Sequence, residues 1–264
     1  MSSRNSKNAK AAARERLRAE REKEVKRAKV RRQITVAVSI VVVLGAAAGI
    51  AVAVNQANKP GYWQAAADKP LVEPAHSSGT DGTSIVVGDA TNKHVLKVYE
   101  DLRCPVCAAF EQQSGDEVQT LAKSGKYQIS YTMGDFIDDR GGDGSKNALS
   151  ALGAALNVST DAFVQYHKVL YSKAVHPDET TDGFGSDATL IKAAQQVPAL
   201  KDNQAFQTAV KDGTYDKWAL TMAKQFDSDG ITSTPTVKLD GKAVDNVQAM
   251  ASGQFTSTVE GLLK

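Results

Sequence analysis

Cysteine is scarce in this 264-residue chain, which contains only Cys104 and Cys107. A structural zinc site needs four cysteine or histidine ligands, and the chain has no second cysteine pair. Its four histidines also lack the H-x3-5-H spacing of a zinc half-site: His76, His94, His167 and His176. We therefore expect no metal at the cysteine pair, and we predict no bound cofactor elsewhere.

Other common functional signals are missing as well. The chain has no glycine-rich phosphate-binding loop, no nucleophilic-serine motif and no internal repeat. The segment DDRGGDG, 138–144, has spaced carboxylates but neither the ligand order nor the final glutamate of an EF-hand, so we predict a solvated turn. His167, in AFVQYHKVLY, is predicted to be a helix-face residue rather than a catalytic base.

Charge is distributed unevenly along the chain. Residues 1–32 contain thirteen Lys/Arg and four Glu, a net charge of +9, which leaves 33–264 with nineteen basic and twenty-six acidic residues, a net charge of −7. Between these parts, 34–54 is uncharged and, at 1.5 Å per residue, long enough for about 31 Å of helix, sufficient to cross a bilayer core. We predict a transmembrane helix there; a cleavable signal peptide is the alternative.

The flanking charges predict the orientation of this span. Ten Lys/Arg occur in 14–33 and two in 55–74, so the positive-inside rule places 1–33 in the cytoplasm and the rest outside. The basic segment is interpreted as a topogenic cluster resting on the lipid bilayer, although anionic lipid or nucleic acid could also attract it. We predict no nucleic-acid partner. Residues 55–82, with three prolines and the run SSGTDG, are predicted to be an extracytoplasmic linker.

The remaining segment, 83–264, is predicted to be one α/β domain. HVLKVYE is a strand, Pro105 opens a helix, and KYQISYTM is a second strand, which implies a parallel pair with a right-handed crossover. Helical patterns fill 145–213, and a helix over 214–226 has Trp218, Met222 and Phe226 on one face. TPTVKL, a two-residue turn, KAV and a helix over 247–263 complete the pattern. This order is typical of a thioredoxin-like fold with an inserted helical domain.

The position of the cysteines favours redox chemistry over a structural disulfide. Closing a four-residue loop would stabilise the fold by only about 2 kcal/mol. Cys104 instead lies between a strand and a helix N-terminus, where the helix dipole favours a thiolate. The dipole alone lowers the pKa by about one unit, so any larger shift requires N–H donors to the sulfur. A small structural disulfide remains the alternative.

Three features together resemble a known family: YEDLRCPVCAAFE, the later STPTV and the helical block between them. They are similar to the membrane-anchored DsbA-like thioredoxin-fold oxidoreductases of actinobacteria. The resemblance implies that Cys104 is the nucleophile, Cys107 the resolving thiol and Pro235 a cis-proline beside them. It also implies that Thr234, with Pro105 and Val106 between the cysteines, contacts substrate peptide.

The chain departs from this family at two positions. Val98 occupies the position, six residues before the first cysteine, where many thioredoxin-fold enzymes bury a carboxylate, and Glu100 or Asp101 could substitute for it. Val106 occupies the position where strongly oxidising relatives often have histidine, which leaves the direction of catalysis open.

The resemblance implies an extracytoplasmic thiol:disulfide oxidoreductase that introduces disulfides into reduced exported proteins. A membrane reoxidant of the DsbB or vitamin K epoxide reductase-like type would be its electron partner. A reductase or isomerase for exported proteins or apocytochromes, and a non-redox peptide-binding anchor, are the alternatives.

Overall fold

The structure is a computed structural model that describes residues 61–264. The basic segment 1–33 and the predicted transmembrane helix 34–54 lie outside the described residues. Among the residues that are described, no helix is both long and apolar enough to cross a membrane.

A five-stranded mixed sheet forms the centre of the domain, in the order β1-β3-β2-β4-β5. Its strands are β1 Ile85–Val87, β2 Val95–Asp101, β3 Gln128–Gly134, β4 Thr236–Leu239 and β5 Lys242–Ala243. Strands β2 and β3 are parallel, and the other three pairings are antiparallel. The predicted parallel pair is therefore confirmed, and β2 is the central strand whose C-terminal end leads to the cysteines.

Eight α-helices and three short 3₁₀ segments surround this sheet within residues 61–264. The helices are α1 Tyr62–Ala67, α2 Pro105–Lys123, α3 Gly144–Val158, α4 Thr160–Tyr171, α5 Asp187–Ala194, α6 Gln204–Lys211, α7 Asp216–Ser228 and α8 Gln254–Leu262. The 3₁₀ segments are Thr80–Gly82, Phe136–Arg140 and Val247–Ala249. Helices α3 to α6 lie in the chain between β3 and α7, where the sequence predicted helices.

Helix α7 packs its apolar face on the core as predicted. Trp218, Met222 and Phe226 are all buried, and Phe226 lies against the backbone of Gly134 at the end of β3. Helix spacing in the sequence was sufficient to identify this face because each of these side chains is four residues from the next.

The predicted C-terminal helix over 247–263 is wrong in its first half. The chain forms the 3₁₀ segment Val247–Ala249, and α8 begins only at Gln254. Gly253 has a left-handed φ of 77°, which separates the two pieces. Asn246 precedes the 3₁₀ segment at φ 56° and makes no side-chain capping hydrogen bond.

Residues 62–82, which the sequence predicted as linker, contact helix α7 and its surroundings. The Tyr62 hydroxyl donates to Asp216 Oδ2 at 2.7 Å, and Trp218 Nε1 donates to the Gly82 carbonyl at 2.8 Å. Ala66 on α1 is buried. This part of the chain is therefore packed against the domain.

Candidate active site

The two cysteines lie where strand β2 passes into helix α2. Cys104 is the N-cap residue of α2, and Pro105 occupies the first turn, where a missing N–H breaks no helical hydrogen bond. The Cys104 N–H donates to the Asp101 carbonyl at 2.9 Å. Both cysteines are free thiols; Cys104 retains a small exposed fraction of 4%, whereas Cys107 has none.

The environment of Cys104 favours its thiolate. Hydrogen bonding from the Cys107 side chain is the largest cause that lowers the Cys104 pKa to about 6, and it outweighs the opposing effect of burial. The Thr234 side chain and the backbone N–H groups of Cys107 and Val106 lower the pKa further. These donors to the sulfur explain why the Cys104 pKa is lowered by more than the helix dipole alone could achieve.

Cys107 has the opposite environment. Its burial raises the pKa well above the usual value of a thiol, and the neighbouring Cys104 and the charge of Glu100 raise it further. One cysteine is therefore suited to be the thiolate, and the other is suited to stay protonated until it reacts. This asymmetry is what a nucleophile and a resolving thiol require.

The Thr234–Pro235 segment lies beside the cysteines. Its peptide bond is cis, which confirms the prediction for Pro235. The Cys104 Sγ is 3.8 Å from the Thr234 carbonyl oxygen, to which the thiol donates. Pro105 and Val106 lie on the surface next to Cys104, with Val106 41% exposed. The structure thus brings together all six residues that the sequence selected, while their roles toward substrate remain predictions.

A buried charge network fixes the loop that precedes Cys104. Asp101 accepts hydrogen bonds from the Arg103 and Ile137 backbone N–H groups at 2.8 and 2.9 Å and from the Ser145 hydroxyl at 2.7 Å. It is therefore a structural residue of the loop. Burial is the main cause that raises its pKa to about 7.

The segment 138–144 is exposed over 139–143, as the sequence predicted for a solvated turn, but Asp138 and Gly144 at its two ends are buried. Asp138 is buried and accepts from Arg103 Nη1 at 2.8 Å, and Arg103 is itself only 2% exposed. Asp138 also accepts from the Ser145 N–H at the start of α3. A buried guanidinium requires a counter-charge, and Asp138 supplies it from within the core, whereas Asp139 and Asp143 stay exposed.

Glu100 is the buried carboxyl of this site. Side chains alternate along a strand, so Glu100 shares a face of β2 with Val98, where the related enzymes place their carboxylate. Glu100 is fully buried, and burial, followed by the charge of Cys104, raises its pKa well above the usual value. Of the two substitutes that the sequence suggested, Glu100 is the one coupled to the cysteines.

Two further residues meet Glu100, and sequence reasoning missed them. His167 Nε2 lies 3.0 Å from Glu100 Oε2, and His167 Nδ1 lies 3.9 Å from Glu111 Oε2. His167 is thus on the buried face of α4, not simply a helix-face residue. Glu111 lies one helical turn after Cys107, a spacing that could have signalled it; His167, 67 residues from Glu100, gave no local signal.

Glu100, Glu111 and His167 also offer metal-ligand atoms that lie within 4.8 Å of one another. Burial raises the pKa of Glu100 well above its usual value and that of Glu111 to about 8. In the metal-free protein these carboxyls therefore hold protons that a cation would have to displace.

Comparisons with known proteins agree with this geometry. A family model described as Thioredoxin matches residues 80–258, while no curated protein matches the chain. Among solved structures, the thiol-disulfide oxidoreductase MdbA from Actinomyces oris is 23% identical, with a TM-score of 0.61 over 74% of this chain and 91% of its own.

Two other solved structures show the same fold. The reduced disulfide bond oxidoreductase DsbG from Mycobacterium tuberculosis is 22% identical, with a TM-score of 0.56 over 76% of this chain and 91% of its own. Oxidised BdbD from Bacillus subtilis is 19% identical, with a TM-score of 0.56 over 73% and 99%. Because the family match spans more than half of the sequence, and actinobacterial oxidoreductases of the predicted type are among its structural neighbours, the chain belongs to the thioredoxin family.

Proposed function

We propose that this protein is an extracytoplasmic thiol:disulfide oxidoreductase that introduces disulfides into reduced exported proteins. The observation that carries the proposal is the asymmetry of its cysteine pair. Cys104 has a lowered pKa and reaches the surface beside Val106, whereas Cys107 is buried and holds its proton. The structural neighbours named as thiol-disulfide oxidoreductases support it.

The reaction follows from this arrangement. A substrate thiolate attacks the Cys104 sulfur, the Cys104–Cys107 bond breaks, and Cys107 leaves with the electron pair and takes up a proton. A second substrate thiolate then attacks the substrate sulfur of the mixed disulfide and releases Cys104 as a thiolate. Two electrons pass from the substrate dithiol to the enzyme; of the two substrate protons, Cys107 takes one and solvent the other.

The lowered pKa of Cys104 favours the oxidising direction. A thiolate that is stabilised in the fold makes the reduced enzyme more stable, and a couple whose reduced form is stabilised is a stronger oxidant. The pKa of about 6 thus supports a disulfide donor even though the histidine found in strongly oxidising relatives is replaced by Val106.

The activity is tested with the full chain, purified in detergent, and a reduced, unfolded protein as substrate. We expect the oxidised enzyme to form the substrate disulfide and Cys104→Ser to be inactive. Cys107→Ser, supplied with oxidised glutathione as the oxidant, should accumulate a mixed disulfide through Cys104. Oxidation of the substrate by Cys104→Ser would refute the proposal.

The reduction potential tests the direction of catalysis. Equilibration in glutathione buffers should give a reduction potential of about −120 to −180 mV if the protein is a disulfide donor. A value near about −270 mV would indicate a reductase instead, and one below about −300 mV a structural disulfide.

The location and partners are part of the same proposal. The apolar segment 34–54 and the excess of basic residues before it support a membrane anchor with the cysteines outside. A membrane protein of the DsbB or vitamin K epoxide reductase-like type would accept the two electrons. In intact cells, a membrane-impermeant maleimide should label Cys104 of the reduced protein; labelling only after lysis would contradict this location.

A further inference from the structure

Behind the cysteines, three elements bring three titratable side chains into contact. Glu100 comes from β2, Glu111 from α2 and His167 from α4, and all three are buried, with exposed side-chain fractions of 0%, 6% and 3%. The imidazole lies between the two carboxyls, with Nε2 toward Glu100 and Nδ1 toward Glu111.

The two carboxyls share a proton. A carboxyl oxygen of Glu100 and one of Glu111 lie within 4.8 Å of each other, and two buried carboxyl groups this close favour the state in which one of them carries a proton. The Oε1 atoms of both residues are buried and have no N–H or O–H donor within the described chain. A carboxyl proton supplies the missing donor, so the cluster is an acid pair.

One end of this cluster reaches the cysteines. Glu111 is one turn beyond Cys107 on α2, on the same helix face. Glu100 interacts electrostatically with both sulfurs. The carboxyl pair is therefore placed next to the thiol that must gain and lose a proton during each cycle.

The other end of the cluster reaches solvent. Glu111 lines two adjoining cavities between α2 and α4, of about 250 and 180 Å³, and the smaller one is also lined by His167. Asp116 and Lys168 line both cavities, and their exposed side chains hydrogen bond to each other at 2.5 Å. The cysteine surface lies at the N-terminus of α2, whereas these cavities lie two to three turns further along that helix.

We propose that Glu100, His167 and Glu111 form a proton relay that connects the Cys107 thiol with the cavity between α2 and α4. This proposal rests on the proposed function, and it deepens it by naming two residues, His167 and Glu111, that act through Glu100. They are positioning residues for proton transfer because neither touches the sulfurs.

The transfers balance in both directions. When substrate attacks Cys104, Cys107 leaves as a thiolate and takes from Glu100 the proton that the two carboxyls share. Cavity water then protonates Glu111, and this proton is shared with Glu100 directly or through His167. When the enzyme is reoxidised, Cys107 gives its proton to Glu100 and the sequence runs backward, so that the carboxyl pair holds one proton before and after each cycle.

The surrounding groups do not compete for this proton. From β3, Tyr131 packs its ring 5.0 Å from that of His167, and from α4, Tyr171 packs 4.9 Å away. Burial is the first cause that raises the pKa of both phenols well above the usual value, so both remain neutral. Gln119 donates to the Tyr131 hydroxyl at 2.9 Å and does not titrate. Among the groups that pack on the cluster, Asp116 and Lys168 remain at the cavity mouth.

Gly115 provides a way to disturb the relay without changing its chemical groups. A Cβ at this position would lie 2.5 Å from Glu111 Oε2, so Gly115→Ala pushes the Glu111 carboxyl aside. Glu111→Gln removes the acid while keeping its size, and the exposed Glu260→Gln is the matched control.

The test follows the reaction of the oxidised full chain with a reduced peptide between pH 5.5 and 8.5, in H₂O and D₂O. We expect Glu111→Gln, His167→Gln and Gly115→Ala to slow the exchange by about tenfold or more, since general acid catalysis typically contributes at least that much. The loss should grow with pH, and imidazole buffer should partly restore the rate. The thiolate absorbance of Cys104 should titrate as in the wild type.

Three results distinguish a failure of the proposed function from a failure of the relay. A wild-type protein that does not exchange disulfides would remove the proposed function itself. An active wild type with unchanged rates and isotope effects in Glu111→Gln and His167→Gln would overturn the relay alone. A stoichiometric divalent cation in the purified protein would also overturn it, because a bound cation would displace the shared proton.

Discussion

At the residue scale, Arg103 shows how the fold holds its nucleophile. The residue immediately before Cys104 is an arginine that is 2% exposed, and its guanidinium donates to Asp138 at 2.8 Å and to the Gly141 carbonyl at 2.9 Å. A buried charge is tolerated only with a partner of this kind. The conformation of the cysteine loop therefore depends on an acidic segment 35 residues further along the chain.

We predict that Arg103→Met will destabilise the protein by about 3 kcal/mol, because it removes the buried guanidinium and leaves Lys146, 3.5 Å away, as the remaining cation beside the Asp138 carboxylate. Urea denaturation of the oxidised full chain measures the effect. Lys126→Met is the control: Lys126 and Glu260 form an ion pair at 3.4 Å with both side chains 46% exposed, and such pairs contribute at most about 1 kcal/mol. Equal losses in the two variants would contradict the assigned role of the buried pair.

The residues that could be predicted from the sequence are those with a local signal. Cys104, Cys107 and Pro235 stand in short motifs, and the structure brings these motifs together. His167 and Asp138 could not be predicted, because their partners Glu100 and Arg103 come from distant parts of the chain and become neighbours only when the helices pack. A lone histidine or an acidic turn looks the same in sequence whether it is buried or exposed.

At the scale of elements, the close approach of α3 and α7 depends on one glycine. A Cβ at Gly153 would lie 2.7 Å from Trp218 Cζ3 and 3.0 Å from Tyr215 Cβ. The indole of Trp218 is fully buried and also anchors residues 62–82 through Gly82. Gly153 therefore leaves space for the Trp218 ring, which connects α7 to residues 62–82.

We expect Gly153→Ala to destabilise the domain by about 1–3 kcal/mol, since the added methyl group overpacks a core without space for it. Gly261→Ala is the matched control, because Gly261 is also helical but has nothing within 4 Å. That substitution should stabilise the protein by a few tenths of a kcal/mol up to about 1 kcal/mol through helix propensity. Thermal unfolding measures the stability of both variants. A Gly153→Ala protein that is more stable than the wild type would refute this packing argument.

Most elements of the domain were predictable from periodicity and turn residues, including β2, α2, β3 and the buried face of α7. The C-terminal helix was predicted to begin too early because Val247–Ala249 and α8 have similar helix-compatible residues. The extended backbone of Met250 and the left-handed conformation of Gly253 separate them. A glycine in a helical pattern indicates a break weakly, because the same residue is tolerated within α2 at Gly115.

At the scale of the whole molecule, the free energy of unfolding depends on the protonation of Cys104 and of the buried carboxyls near it. Asp101 and Glu111 have pKa values raised to about 7 and about 8, mainly by burial, so each favours folding at low pH and loses that contribution as pH rises. Both groups are present in the oxidised and the reduced protein. The thiolate of Cys104 exists only in the reduced one, so the difference between the two forms isolates it.

We predict that the reduced form gains stability relative to the oxidised form as pH rises from 6 to 8. The Cys104 pKa is lowered from 9.0 to about 6, first by hydrogen bonding from Cys107. A lowered pKa contributes stability that is complete above the unfolded-state value and lost as pH falls through the folded-state value. Across this window the gain is about 2 kcal/mol.

Urea denaturation of both redox forms at several pH values measures this difference. A Cys104→Ser variant, studied with and without reductant, controls for the other titrating groups and should show no such trend. Stability curves for the oxidised and reduced wild type that run parallel from pH 6 to 8 would show that the fold does not favour the Cys104 thiolate. In that case the physical reason for an oxidising direction would be lost, because a reduced form without extra stability gives no tendency to accept electrons from substrate thiols.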